Sequence, residues 1–106
     1  MFQFMQRNTT NSIDVNEIEE LIGEIDLIDI REPYEYRGGH LPSAKNIPMN
    51  TLLSDPEEYL EESKEYHIIC QSGSRSSAAC KLLKQNGFKV INVAGGTGRY
   101  RGRLVR

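Results

Sequence analysis

Apolar residues along this chain come in short blocks, and their spacing switches repeatedly between a strand-like and a helix-like period. Asp26-Leu27-Ile28-Asp29-Ile30, Tyr66-His67-Ile68-Ile69-Cys70 and Lys89-Val90-Ile91-Asn92-Val93 are compact runs rich in β-branched residues, which predicts strands. Ser12-Ile13 predicts a shorter strand, and residues 44–47 another, ended by Pro48. Val15, Ile18, Leu21 and Ile22 share one helical face. Asp14 stands before them as a cap, Glu17 completes a capping-box pattern, and Gly23 offers a left-handed stop. Asp55-Pro56-Glu57-Glu58 opens a second helix, with a cap, a proline in the first turn and acids at its positive end. Residues 76–86 predict a third, with Ala79, Leu82 and Leu83 apolar and Gly87 beyond the end. Residues 31–42 are rich in turn formers, and Gly95-Gly96-Thr97-Gly98 reads as a turn before an arginine-rich tail. Strands alternating with helices imply an α/β fold: a central, mainly parallel sheet with helices on both faces. Ligands of such sheets sit beyond the C-terminal strand ends. Cys70 ends the most apolar strand.

Composition narrows the class. A chain of 106 residues forms one domain, with residues 1–10 expected to be a short N-terminal extension. At 38% hydrophobic and 26% charged, it is too apolar for disorder and too mixed for a membrane protein. Two cysteines exclude a disulfide-rich scaffold and a four-cysteine zinc site, and two isolated histidines do not suggest a metal. The apolar start, Met1 to Met5, is interrupted by Gln3 and closed by Gln6-Arg7-Asn8, which is not an export signal. No run approaches the roughly 20 apolar residues that span a bilayer. The expectation is a cytoplasmic protein with reduced thiols and no cofactor, acting on neither membranes nor nucleic acid. Charge is strongly asymmetric: residues 1–65 hold all fifteen acids against five bases, and residues 66–106 hold eight bases and no acid. A positive C-terminal half of this kind attracts anions.

The chemistry gathers in Cys70-Gln71-Ser72-Gly73-Ser74-Arg75-Ser76. Here a cysteine leaves a buried strand and enters a loop of small residues that runs straight into a helix. A thiolate is the nucleophile, so the thiol pKa must fall. Loop amides and a helix N-terminus supply the positive field that lowers it, and Arg75 adds a full charge. The same cradle holds an oxyanion.

These residues resemble the rhodanese family of single-domain sulfurtransferases, and the resemblance covers nearly the whole chain. Asp29-Ile30-Arg31-Glu32-Pro33-Tyr34-Glu35-Tyr36, then Gly39-His40-Leu41-Pro42-Ser43-Ala44 and Asn46-Ile47-Pro48, resemble its first signature. Cys70 to Ser76 resembles its active-site loop, and Gly95-Gly96 its last segment, although the family usually has Trp near Tyr100. The resemblance implies that Cys70 takes sulfur from thiosulfate or a persulfide and carries it as a persulfide. Cyanide, glutathione or a protein thiol then receives it. It further implies that Gln71, Ser72, Gly73, Ser74, Arg75 and Ser76 bind the anion, with support from Arg31.

A cysteine phosphatase or arsenate reductase is the competing enzyme reading. Its signature has five residues between Cys and Arg, where this chain has four, and no acid follows Glu65 to serve as a general acid. A non-catalytic binding module is the third reading, though such domains usually lack the cysteine. Cys80 is read as packed rather than reactive, His67 as structural, and His40 as a hydrogen bonder fixing its loop. Arg99, Arg101 and Arg103 are read as a solvated segment or as anion steering.

Overall fold

The computed structural model describes residues 11–106. The expected N-terminal extension, residues 1–10, lies outside them. Five strands form one sheet: β1 (Ser12–Asp14), β2 (Asp26–Asp29), β3 (Lys45–Asn46), β4 (Glu65–Ile69) and β5 (Lys89–Ala94). Their order is β1-β5-β4-β2-β3, and every pairing is parallel. Parallel strands need crossovers, and helices or loops on either face supply them. The fold class read from the sequence is the one observed.

Period-two alternation divides the core in two. Ile28, Ile30, Tyr66, Ile68, Cys70 and Val90 face one layer. Leu27, Ile69 and Val93 face the other. The first layer is closed by α2 (Met49–Ser54) through Leu52 and by α4 (Ser74–Gln85) through Ala79, Cys80 and Leu83. The second is closed by a 3₁₀ helix (Val15–Leu21) through Val15 and Ile18, with Leu41 and Tyr36. His67 lies between Tyr66 and Ile68, so its side chain takes the face opposite Cys70, where burial lowers its pKa.

Several elements differ from expectation. The first helix is 3₁₀, although its capping box forms: Asp14 accepts from the Asn16 amide at 2.9 Å, and Glu17 reaches back to the Asp14 amide. The turn-rich stretch contains α1 (Pro33–Arg37), started by Pro33 and a Glu32–Glu35 capping box. The short α2 was not expected at all, since tertiary packing of Leu52 rather than local pattern holds it. The helix opened by Pro56 is only α3 (Pro56–Tyr59), and the Asp55 side chain makes no capping bond. The Gly95 to Gly98 turn winds into α5 (Gly96–Arg99). The third helix begins at Ser74, two residues early, because Gly73 takes a left-handed φ of 103° and turns the chain directly into it.

Candidate active site

The proposed nucleophile and anion-binding residues lie together: Cys70 to Ser76 run from the end of β4 into the first turn of α4, and Arg31 reaches them from just beyond β2. Cys70 is fully buried at the strand end. Its Sγ accepts the Gly73 N–H at 3.1 Å and the Ser76 N–H at 3.3 Å, with Ser76 Oγ also 3.3 Å away. Burial pushes the thiol pKa up, but the Ser76 hydroxyl and the amides of Ser76, Gly73 and Ser72 outweigh it, and the net direction is down. A group that is buried yet more easily ionised has been prepared for the anionic form. Gln71, Ser72 and Ser74 are exposed at the rim, and Ser76 is buried beneath the sulfur.

A second structure holds the loop from behind. The Thr97 amide donates to Cys70 O and the Gly98 amide to Gln71 O, both at 2.9 Å. This approach requires glycine: a Cβ on Gly96 would lie 2.5 Å from the carbonyl oxygens of Cys70 and Gln71. Arg31 stitches the loop to β2. It is buried against Asp29 through three guanidinium contacts of 2.8–3.1 Å, donates to Gly39 O at 2.8 Å, and reaches Gln71 Oε1 at 3.1 Å. A cleft of about 490 Å³ opens beside it, lined by Arg31, Tyr34, Glu35, Gln71, Thr97 and Leu104 among others.

Arg75 departs from expectation. It does not stand as an unpaired charge beside the thiol: both its terminal nitrogens lie 3.0 Å from Glu35 carboxylate oxygens. That contact lowers the Glu35 pKa and raises that of Arg75, while the field at Cys70 comes from the hydroxyl and amides. Sequence reading missed Glu35, whose partner lies forty positions away and leaves no local mark. It also missed Asn92, which accepts from Ser76 Oγ at 2.5 Å. A polar residue at an inward position between Val90 and Val93 was a readable signal.

The remaining residues follow their readings more closely. Cys80 is buried in the core, and burial pushes its pKa up to about 12. His40 stacks on Tyr36 at 3.6 Å, with Nδ1 2.8 Å from the Tyr36 carbonyl. The tail's arginine side chains are exposed, but its backbone is anchored: His40 and Val105 exchange hydrogen bonds at 2.9 Å, and the Arg101 amide donates to Asn16 at 2.8 Å. Among the described residues no cluster of three or more His, Cys, Asp and Glu could hold a metal, and no helix is long and apolar enough to cross a membrane.

Comparisons with known proteins identify the family. The chain is 43% identical over 79 residues to YtwF of Bacillus subtilis (strain 168), which carries the provisional name sulfurtransferase; the match covers 74% of this chain and 76% of YtwF. It is 33% identical over 90 residues to a sulfurtransferase of Allochromatium vinosum, covering 81% of this chain and 83% of that one. Other relatives are longer proteins, among them a tRNA uridine(34) hydroxylase of Buchnera aphidicola, of which the match spans 30%. The crystal structure of a rhodanese-like domain protein from Staphylococcus aureus superposes with a TM-score of 0.76 at 29% identity, covering 90% of this chain and 97% of that one. The family described as Rhodanese-like domain matches residues 14–102, and with the loop, the buried cysteine and the all-parallel sheet in place, the chain belongs to that family of sulfurtransferase-like domains.

Proposed function

We propose that the protein moves sulfane sulfur from thiosulfate or a persulfide donor to a thiol or cyanide, with Cys70 as the nucleophile. The Cys70 thiolate attacks the outer sulfur of the donor. A bond forms between Cys70 Sγ and that sulfur, the donor's S–S bond breaks, and its electron pair leaves with sulfite or with the donor thiolate. Cys70 then carries a persulfide anion. The acceptor attacks the terminal sulfur, the Sγ–S bond breaks, and the Cys70 thiolate returns, which makes the cycle ping-pong.

The observation that carries this reading is the pair of amide contacts to Cys70 Sγ, at 3.1 and 3.3 Å, within a loop of only four residues between Cys70 and Arg75. A ring so short suits a single sulfur atom better than a phosphate group, which favours sulfur transfer over the phosphatase reading. Amides aimed at the sulfur stabilise the thiolate first and the persulfide anion after it. Arg31 holds Gln71 at the rim, and Arg75 is available to an anionic donor when it leaves Glu35. A protein thiol as acceptor and a reducing, cytoplasmic setting complete the reading.

The test is the mass of the intact protein after thiosulfate treatment, before and after a reductant, together with cyanide-dependent thiocyanate formation. One added sulfur atom, removed by the reductant and absent in Cys70→Ser, is the expected result. Aryl phosphate hydrolysis without thiosulfate turnover would overturn the proposal.

A further inference from the structure

The Ser76 hydroxyl has more neighbours than it has protons. Its Oγ lies 3.3 Å from Cys70 Sγ, 3.2 Å from the Gly73 carbonyl oxygen and 2.5 Å from Asn92 Oδ1. A hydroxyl carries one proton to donate. While Cys70 is a thiol, its S–H donates to Ser76 Oγ, and the Ser76 O–H donates to Asn92 Oδ1. Once the thiol has lost its proton to solvent, Sγ only accepts, and the anion draws the hydroxyl proton most strongly. Ser76 then presents bare lone pairs to Asn92. An Oδ1 at that place would press two acceptors together, whereas an Nδ2 would donate. The oxygen and nitrogen of a carboxamide exchange places by a half turn of the group.

The surroundings permit that turn. Asn92 is half-buried on β5, on the same face as Val90 and beneath α4. It lines a cleft of about 530 Å³ together with Ser12, Ser77, Cys80 and Lys81, so the displaced Oδ1 gains access to solvent. Of the charged or titratable groups, Cys80, Lys81 and Lys84 of α4 line the same cleft, and Arg75, paired with Glu35 of α1, acts on Cys70 through its charge; the β1 side adds only the neutral Asn11 and Ser12. None of these changes in the variants below.

We propose that Asn92 is a positioning residue whose carboxamide turns over when Cys70 ionises, donating Nδ2–H to Ser76 Oγ so that the Ser76 O–H keeps donating to the thiolate. This rests on the reading of Cys70 as the nucleophile. It goes beyond that reading by making a residue of the neighbouring strand, which reaches the sulfur through Ser76, a determinant of thiol reactivity.

The experiment is a pH series of Cys70 alkylation by iodoacetamide, with the modified peptide identified by mass so that Cys80 is read separately. The proteins are wild type, Asn92→Ala, Asn92→Asp, Ser76→Ala and the Ser76→Ala/Asn92→Ala double variant. Asn92→Ala removes the donor and raises the midpoint by roughly half a unit, about threefold slower alkylation below it. Asn92→Asp, which only accepts, raises it further. In the Ser76→Ala background Asn92→Ala adds no shift, since the relay is already gone. If Asn92→Ala does not fold, Asn92→Leu, closer in volume, gives the same comparison. An unchanged or lowered midpoint in Asn92→Ala means that Asn92 accepts in both states and competes with the thiolate, which overturns the proposal. A full shift persisting in the double variant overturns it too. The readout needs no sulfur transfer, so failure of thiosulfate turnover in the wild type counts against the proposed function and leaves this result to stand or fall alone.

Discussion

Cys70 and Cys80 lie ten residues apart, both buried, and their surroundings move them in opposite directions. Cys70 meets two amides and a hydroxyl, and the pKa falls; Cys80 meets packed side chains, and it rises to about 12. At pH 7–8 iodoacetamide therefore modifies Cys70 and spares Cys80, which peptide mass mapping checks. Cys70→Ser abolishes thiocyanate formation, and Cys80→Ser keeps most of it. Arg75 belongs to the same scale. Because its guanidinium is held by Glu35, removing it leaves most of the field at the thiol intact. Arg75→Ala is thus expected to move the alkylation midpoint by only about 0.3 unit or less, a smaller energy than one charge-assisted hydrogen bond. Ser76→Ala moves it upward by more. A large shift in Arg75→Ala alone would show that the Glu35 pair opens in solution. The cysteine, the loop and the arginine were legible in the sequence because they are neighbours in it. The Glu35 partnership was not, since only folding brings α1 against α4.

At the scale of elements, the loop owes its shape to two short structures that close on it. Gly73 turns the chain into α4, and the first turn of α5 donates two amides to the loop's carbonyls. Gly96 has a φ of 63° and almost no room beyond its Cα. Gly96→Ala combines an unfavourable backbone with a collision against backbone oxygens, and it is expected to destabilise the protein by about 1–3 kcal/mol. Chemical denaturation measures this, and sulfur transfer falls with it because the displaced carbonyls belong to Cys70 and Gln71. Unchanged stability would mean that α5 swings away without consequence. The strands were legible from period and β-branched content, as was the α4 body from Ala79 and Leu83. The 3₁₀ helix, α1 and α2 were misread or missed: each is seven residues or fewer, too short for its periodicity to speak. Burial of Ile18 holds the 3₁₀ helix and burial of Leu52 holds α2, while α1 buries no residue and rests on Pro33 and its capping box.

For the whole molecule, the raised Cys80 pKa becomes a property of folding. In the unfolded chain this thiol ionises near ~8.5, whereas in the native protein it holds its proton to about 12. Below ~8.5 both states are neutral there, and the group contributes its full stabilising difference. Between those two values the unfolded state alone releases the proton, so native stability falls as pH rises, by about 1.4 kcal/mol per unit for one group. Cys70, with its pKa shifted down, acts with the opposite sign at lower pH, where the native state releases its proton first. The combined contribution of the two thiols therefore peaks on the alkaline side of neutrality, below the range in which unfolding ionises Cys80. Urea titrations from pH 8 to 10.5 on wild type and Cys80→Ala test this. The variant starts less stable, having lost a buried side chain that packs against the first core layer. Its decline with pH is shallower, and the two curves converge. Every other titratable group is present in both proteins and cancels in the difference. Parallel curves would show that Cys80 ionises in the native state, and that the layer beneath α4 admits water.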